Sequence, residues 1–302
     1  MDVVAPAWQR KVPSVIEGFM SYDLYFSSSK PLSVDAIKAW FGRRKHYQWS
    51  DDSAHYENPV SGVYFTFEVK SPEEAYFNIN FCRPHVFGLE AVDEVEAFVQ
   101  EFGWSIDDPQ SDGMGEGPFT REGFLRGWNS GNAFGCRSVL SYNPGAASLS
   151  LPELTNRRVW QWNRAREAYQ DLIGSVEMMT CFVPTIYLLA DSATPQKVQT
   201  AVIWGEAMEY TLPEVDLVLS VPKSGDAPRV IPYATVAPLL NGIRRDENYQ
   251  FSLEKRSWAT GMPHTVLEEV TGELRRTLLE TGESRKFTRV RTDEVFDREL
   301  VG

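Results

Sequence analysis

The residues able to do chemistry are few, and their spacing points to no familiar reaction. His46, His55, His85 and His264 are the only imidazoles. His46 and His55 flank Asp51, Asp52 and Glu57, a set that could ligate a divalent metal or run acid–base chemistry. The spacing matches no metal motif, so an exposed polar turn is the simpler reading and no metal is expected. Cys82-Arg83-Pro84-His85 sets a thiol near an imidazole. Nucleophilic catalysis would need the ring turned back onto the sulfur, which a rigid Arg-Pro segment opposes. A buried cysteine followed by a strand-ending proline accounts for it better. His264 reads as part of a helix N-terminus. Glu206, Glu209, Glu214 and Asp216 could supply the carboxylate pair of a glycoside hydrolase, or form a negative patch on adjacent strands. The chain has no G-x-G-x-x-G after a strand, no Walker loop, no G-x-S-x-G and no H-E-x-x-H, so no cofactor is expected.

Composition sets the outer limits. The 302 residues suffice for one large domain or two ordinary ones, with 42% hydrophobic and 24% charged residues, an ordinary globular mixture. A net charge of −12 repels phosphate backbones and anionic lipid heads, so neither nucleic acid nor a membrane surface is expected as a partner. The basic runs at Arg43-Arg44-Lys45, around Arg157-Arg158, and from Arg285 to Arg298 read as solvated faces. Acidity suits docking onto a basic partner instead. Three cysteines without C-x-x-C spacing, no apolar segment near the N-terminus and no apolar run approaching a membrane span suggest a cytoplasmic protein with reduced thiols.

The elements that must position these groups are clearest in the first third. Tyr22–Phe26 reads as a strand, and Ser33 caps a short helix carrying Val34, Ile37, Trp40 and Phe41, stopped by Gly42. Val63, Phe65, Phe67 and Val69 alternate with polar residues, as do Phe77, Ile79 and Phe81, which predicts an antiparallel hairpin. An acidic helix over Leu89–Phe102, with Val92, Val95, Val99 and Phe102 inward, and a strand from Trp104 complete a β-α-β-β-α-β order. That order predicts a ferredoxin-like split βαβ domain over residues 1–106. Residues 107–118 read as a linker or long loop, and 119–302 as a second α+β domain. In the latter, strands within 182–221 suggest an antiparallel meander, followed by a helix over Thr265–Thr281 with Thr265 and Glu268 as a capping box. The overall fold class is α+β.

The outward positions of the predicted hairpin, Tyr64, Thr66, Glu68, Tyr76, Asn78 and Asn80, make a polar and aromatic sheet face. Such a face is either a recognition surface or packing against the second domain. The stretches Tyr22-Asp23-Leu24-Tyr25-Phe26, Gly62-Val63-Tyr64-Phe65-Thr66-Phe67 and Phe77-Asn78-Ile79-Asn80-Phe81-Cys82-Arg83-Pro84 together resemble uncharacterised bacterial cytoplasmic proteins of the immunity type found beside polymorphic toxins. The resemblance covers about the first 85 residues and implies a non-enzymatic binder that occludes a basic toxin domain. It carries over no functional residue. The residues themselves nominate Tyr64, Glu68, Tyr76 and Asn78, with Glu90, Asp93, Glu94 and Glu96 of the acidic helix, as partner contacts. The alternative is a hydrolase using a carboxylate pair or a His–carboxylate site. Oligomeric state and partner identity stay open.

Overall fold

The computed structural model describes residues 20–142, 149–176, 181–206, 209–240, 245–246, 250–253, 256–259, 262–267 and 270–301. They form two compact units. The first holds the described residues up to Glu57, with Tyr64–Arg83 and Phe87–Tyr142; the second holds Asn58–Val63, Pro84–Val86 and the described residues after Tyr142. The fold is α+β, as the sequence predicts.

In the first unit the elements run β1 (Ser21–Ser27), α1 (Val34–Gly42), β2 (Tyr47–Ser50), β3 (Ser53–Glu57), β4 (Tyr64–Ser71), β5 (Glu74–Asn80), α2 (Val86–Phe102), β6 (Ser105–Asp108), β7 (Gly115–Gly117) and α3 (Arg121–Tyr142). Its antiparallel sheet has the order β2-β3-β4-β5-β1-β6-β7. The four expected strands lie side by side within it, but β2–β3 extends one edge and β7 the other, so the sheet is wider than a four-stranded split βαβ unit. The His46–Glu57 turn is this added hairpin. His46, Asp51 and Asp52 take left-handed backbone angles (φ 73, 46 and 62°), which short polar side chains tolerate in tight turns. Ser33 caps α1 by accepting from the Ala36 N–H.

One face of this sheet is a dense aromatic layer. Phe26 and Phe67 are buried against Phe98 of α2, with Phe67 and Phe98 ring centres 4.9 Å apart; Phe67 also meets Phe41 of α1, and Phe77 packs on Phe67 and on Phe124 of α3. On α2 the inward positions are Ala91, Val92, Val95 and Phe98; Val99 and Phe102 are only partly covered. Residues 107–118 are not a linker. They form the β6–β7 hairpin, organised by buried Asp108, whose carboxylate accepts from Tyr22 Oη (2.7 Å) and from the Gln110 and Met114 N–H groups (3.1 and 2.9 Å).

α3 belongs to this first unit, whereas the sequence pattern puts residues 119–302 in a second domain. The helix lies close to its neighbours through glycines spaced four apart. A Cβ at Gly127 would sit 2.9 Å from Tyr22 Oη and 3.0 Å from Gly113 Cα, and Cβ atoms at Gly131 and Gly135 would run into Phe81. Phe124 and Trp128 beside this stripe bury against Tyr22.

The second unit contains β8 (Ser150–Leu151), α4 (Glu153–Val176), β9 (Tyr187–Asp191), β10 (Thr194–Gly205), β11 (Tyr210–Pro213), β12 (Leu217–Val221), β13 (Arg229–Pro232) and α5 (Tyr233–Val236). It continues with β14 (Arg245–Asp246), β15 (Gln250–Leu253), β16 (Arg256–Ala259), β17 (His264–Leu267), α6 (Gly272–Glu280), β18 (Phe287–Val290), β19 (Phe296–Asp297) and α7 (Arg298–Val301). The expected antiparallel meander is corrected here. β10 and β12 pair in parallel within the sheet β13-β12-β10-β9-β18, because β11 leaves to join β17 and β14 in a separate sheet. That excursion returns the chain in its original direction. The segment before β9 is less regular than expected. Asn163 and Gln170 of α4 supply the hydrogen bonds that a neighbouring strand would give, Asn163 to Ile186 N and O (2.9 and 3.0 Å) and Gln170 to Val183 N and Cys181 O (2.7 and 2.6 Å).

The predicted helix over Thr265–Thr281 is half strand. β17 pairs with β11 and β14, and α6 starts only after Thr271, with Gly272 at φ 56°. His264 is therefore a buried strand residue, its ring nitrogens 2.8 Å from Tyr169 Oη and 3.0 Å from the Met262 carbonyl. Met208, assigned to a strand from sequence, and Glu268, the capping-box partner, lie outside the described residues.

Burial pushes the phenols of Tyr22, Tyr76 and Tyr210 above their usual range, and bonds to Asp108 and Asp23 reinforce the first two. The folded state thus favours their neutral form, while the unfolded chain ionises them near pH 10. Their contribution to stability is complete below about pH 10 and is lost as pH rises beyond it. Denaturant midpoints should stay level to that pH and fall above it; phenolate absorbance rising for all tyrosines before unfolding would contradict this.

Candidate functional site

Strand alternation turns every second residue of β1, β4 and β5 to the sheet face opposite the aromatic layer, where, among the described residues, only Tyr64 is shown meeting a helix residue, Phe87 at the start of α2 (5.5 Å). Tyr64, Glu68, Tyr76 and Asn78 all stand on this face, as predicted from sequence. Asp23 organises the centre. Its Oδ1 accepts from Tyr76 Oη and from Asn78 Nδ2, each at 2.6 Å, and its Oδ2 accepts from Ser21 Oγ at 2.9 Å. Tyr64 Oη accepts from Arg83 Nε at 2.9 Å, with the guanidinium over the ring at 5.6 Å. Glu68 pairs with Lys70.

Asp23 and Tyr25, central on this face, were not nominated from sequence; the Tyr25 ring lies 5.2 Å from that of Tyr76 and is 49% exposed. The alternation that marks Tyr64 and Tyr76 runs through β1 as well and marks both. Around the Tyr25–Tyr76 pair lies a groove with a cavity volume of about 890 Å³, bounded by Lys70, Glu74, Asp107 and Glu116. Three carboxylates against one ammonium give it a negative rim, and its aromatic floor can take a cation on a ring face.

The acids of α2 do not join this surface. They belong to the helical layer on the opposite side of the sheet, and the four nominated from sequence each have a partner. Glu90 is buried and accepts from Tyr56 Oη at 2.6 Å. Glu94 accepts from Arg44 Nε and Nη2 (3.0 and 2.5 Å) and from Tyr47 Oη (3.3 Å). Asp93 and Glu96 share Arg121 at 2.8 and 2.6 Å. Two arginines thus engage three of these acids, and Glu90 is removed from any surface.

Comparison with protein-family models, curated proteins and solved structures finds no match. Function must be read from the side chains themselves.

The remaining chemical candidates are separately placed. His55 Nδ1 lies 3.3 Å from Thr66 Oγ1, and among the described residues no group of histidine, cysteine and carboxylate side chains could hold a metal ion. His85 is buried in the second unit, with its Nδ1 3.1 Å from Asp297 and its Nε2 accepting from Arg157 Nε at 3.1 Å. Glu214 and Asp216 line a cavity of about 1020 Å³ in that unit, where one Asp216 oxygen accepts from both Thr200 N and Thr200 Oγ1 at 2.8 Å. The Lys223 N–H and the Arg275 guanidinium hold Glu206 below the usual carboxylate range, opposite to what a general acid requires. Among the described residues no helix is long and apolar enough to cross a membrane.

Proposed function

We propose that the chain is a non-enzymatic interaction protein that receives a basic partner on the Tyr25–Tyr76 sheet face of its first unit, in the manner of an immunity protein neutralising a toxin domain. The observation that carries this reading is the Tyr25–Tyr76 pair set in a groove rimmed by Glu74, Asp107 and Glu116. Rigid aromatic side chains give contact area at low entropic cost, and carboxylates around them steer a cationic segment into place. A lysine or arginine of the partner would stack on the tyrosines and neutralise the rim.

The first test is capture from the source cells at low and moderate salt. The expected result is a stoichiometric basic protein whose association slows as salt rises. Reversing Glu116 and Glu74 to lysine should reduce the association rate at low salt by about tenfold or more, with little change at high salt. An acidic partner, or an association rate indifferent to both salt and reversal, would overturn the proposal. The cavity bearing Glu214 and Asp216 supports the hydrolase as a second reading; a Glu214→Gln variant losing a hydrolytic activity found by substrate screening would favour it.

A further inference from the structure

We propose that Cys82 and Cys136 form an oxidisable thiol pair that closes to a disulfide on reaction with hydrogen peroxide. Cys82 directly follows β5 in a left-handed backbone conformation (φ 61°), and Cys136 lies on α3. α3 passes close to this strand end: a Cβ at Gly135, next to Cys136, would sit 3.1 Å from Phe81 Cβ, next to Cys82. Asn132 places both partners: its Oδ1 accepts from the Cys82 N–H at 2.7 Å and lies 3.9 Å from Cys136 Sγ, one helical turn along α3. Its Nδ2 fastens the same strand end by donating to the Arg83 carbonyl at 2.7 Å.

The members differ in the way a reacting and a resolving thiol must. Cys82 is half-buried and reachable by a small oxidant, whereas Cys136 is fully buried. The Cys136 hydrogen bond, then the neighbouring Arg83 charge, favour the Cys82 thiolate against the opposing effect of burial. Cys181, in the second unit, is buried beside Thr211 Oγ1 at 3.2 Å and serves as an internal control.

The chemistry balances with peroxide as the oxidant. The Cys82 thiolate attacks one peroxide oxygen, the O–O bond breaks and hydroxide leaves, giving a sulfenic acid. The Cys136 sulfur then attacks the Cys82 sulfur, the S–O bond breaks, and the departing hydroxide takes the Cys136 proton to leave as water, while the hydroxide of the first step takes up the proton that Cys82 gave to solvent on ionising. Two electrons pass from the thiols to the peroxide, which ends as water. This site is independent of the binding reading given above.

The experiment treats the reduced full-length chain with hydrogen peroxide and follows free thiols, intact mass and mapped peptides. Free thiols should fall from three to one, with loss of two hydrogen atoms and a Cys82–Cys136 cross-linked peptide. Cys136→Ala should stop at a Cys82 sulfenic acid trapped by dimedone, and Cys82→Ser should leave Cys136 unreacted. Should either variant misfold, the wild type answers alone: oxidation in denaturant should scatter the bridges to include Cys181, and oxidation of folded protein should not. Three surviving thiols, a bridge to Cys181 in the folded chain, or Cys82 passing to sulfinic acid without a cross-link would overturn the proposal.

Discussion

Replacing Asp297 with alanine should destabilise the second unit by about 3–5 kcal/mol, the usual cost of removing one member of a buried charged network. Asp297 is 1% exposed and accepts from the His85 N–H (2.7 Å), from His85 Nδ1 (3.1 Å) and from Asn156 Nδ2 (2.7 Å). Both ring nitrogens of His85 are engaged, Nδ1 with Asp297 and Nε2 with Arg157 and, at 3.3 Å, Glu153. Truncation at Asp297 strands several buried donors at once, each costing about 1–3 kcal/mol without a partner. Arg157→Ala is the contrasting case: its side chain is 42% exposed and its pair with Glu153 is worth little, so the loss should stay near or below about 1 kcal/mol. Denaturant midpoints decide between them, and equal losses for the two would show that the carboxylate does not anchor the network.

Gly88→Ala should cost about 1–3 kcal/mol, although alanine is the better helix former by about 1 kcal/mol. A methyl group at Gly88 on α2 would collide with the Trp128 ring of α3, which is fully buried and has nowhere to move. The sign therefore depends on the contact, not on propensity. In a Trp128→Leu background the clash disappears, and the same substitution should become neutral or stabilising. A double-mutant cycle measures this, and additive effects would place the glycine's role elsewhere.

How much of this was legible follows from where each signal lay in the chain. β1, α1, β4 and β5 carried local patterns: alternation, and a serine cap whose bond to Ala36 is present. α3 escaped because its signature is not an apolar stripe but Gly123, Gly127, Gly131 and Gly135 at helical spacing, with Phe124, Trp128, Asn132 and Cys136 one step behind. The error at Thr265 had the opposite cause. Val266, Val270, Leu274 and Leu278 imitate a helical stripe, yet β17 wins the first of them through its ladder with β11 and β14, and α6 keeps only the last two. The outward tyrosines were readable from period two alone. The pairing of the α2 acids was not, since Arg44 lies 50 residues from Glu94 and Arg121 lies 25 from Glu96.

The most direct test of the binding proposal is the affinity of the captured basic partner for Tyr25→Ala and for Glu214→Gln, each first shown to be folded. Truncating an exposed aromatic anchor at the centre of an interface costs about 2 kcal/mol or more, so Tyr25→Ala should weaken binding by about thirtyfold. Glu214→Gln, in the cavity of the other unit, should bind as the wild type does. Undiminished binding by Tyr25→Ala, or loss only with Glu214→Gln, would contradict the assignment of the sheet face.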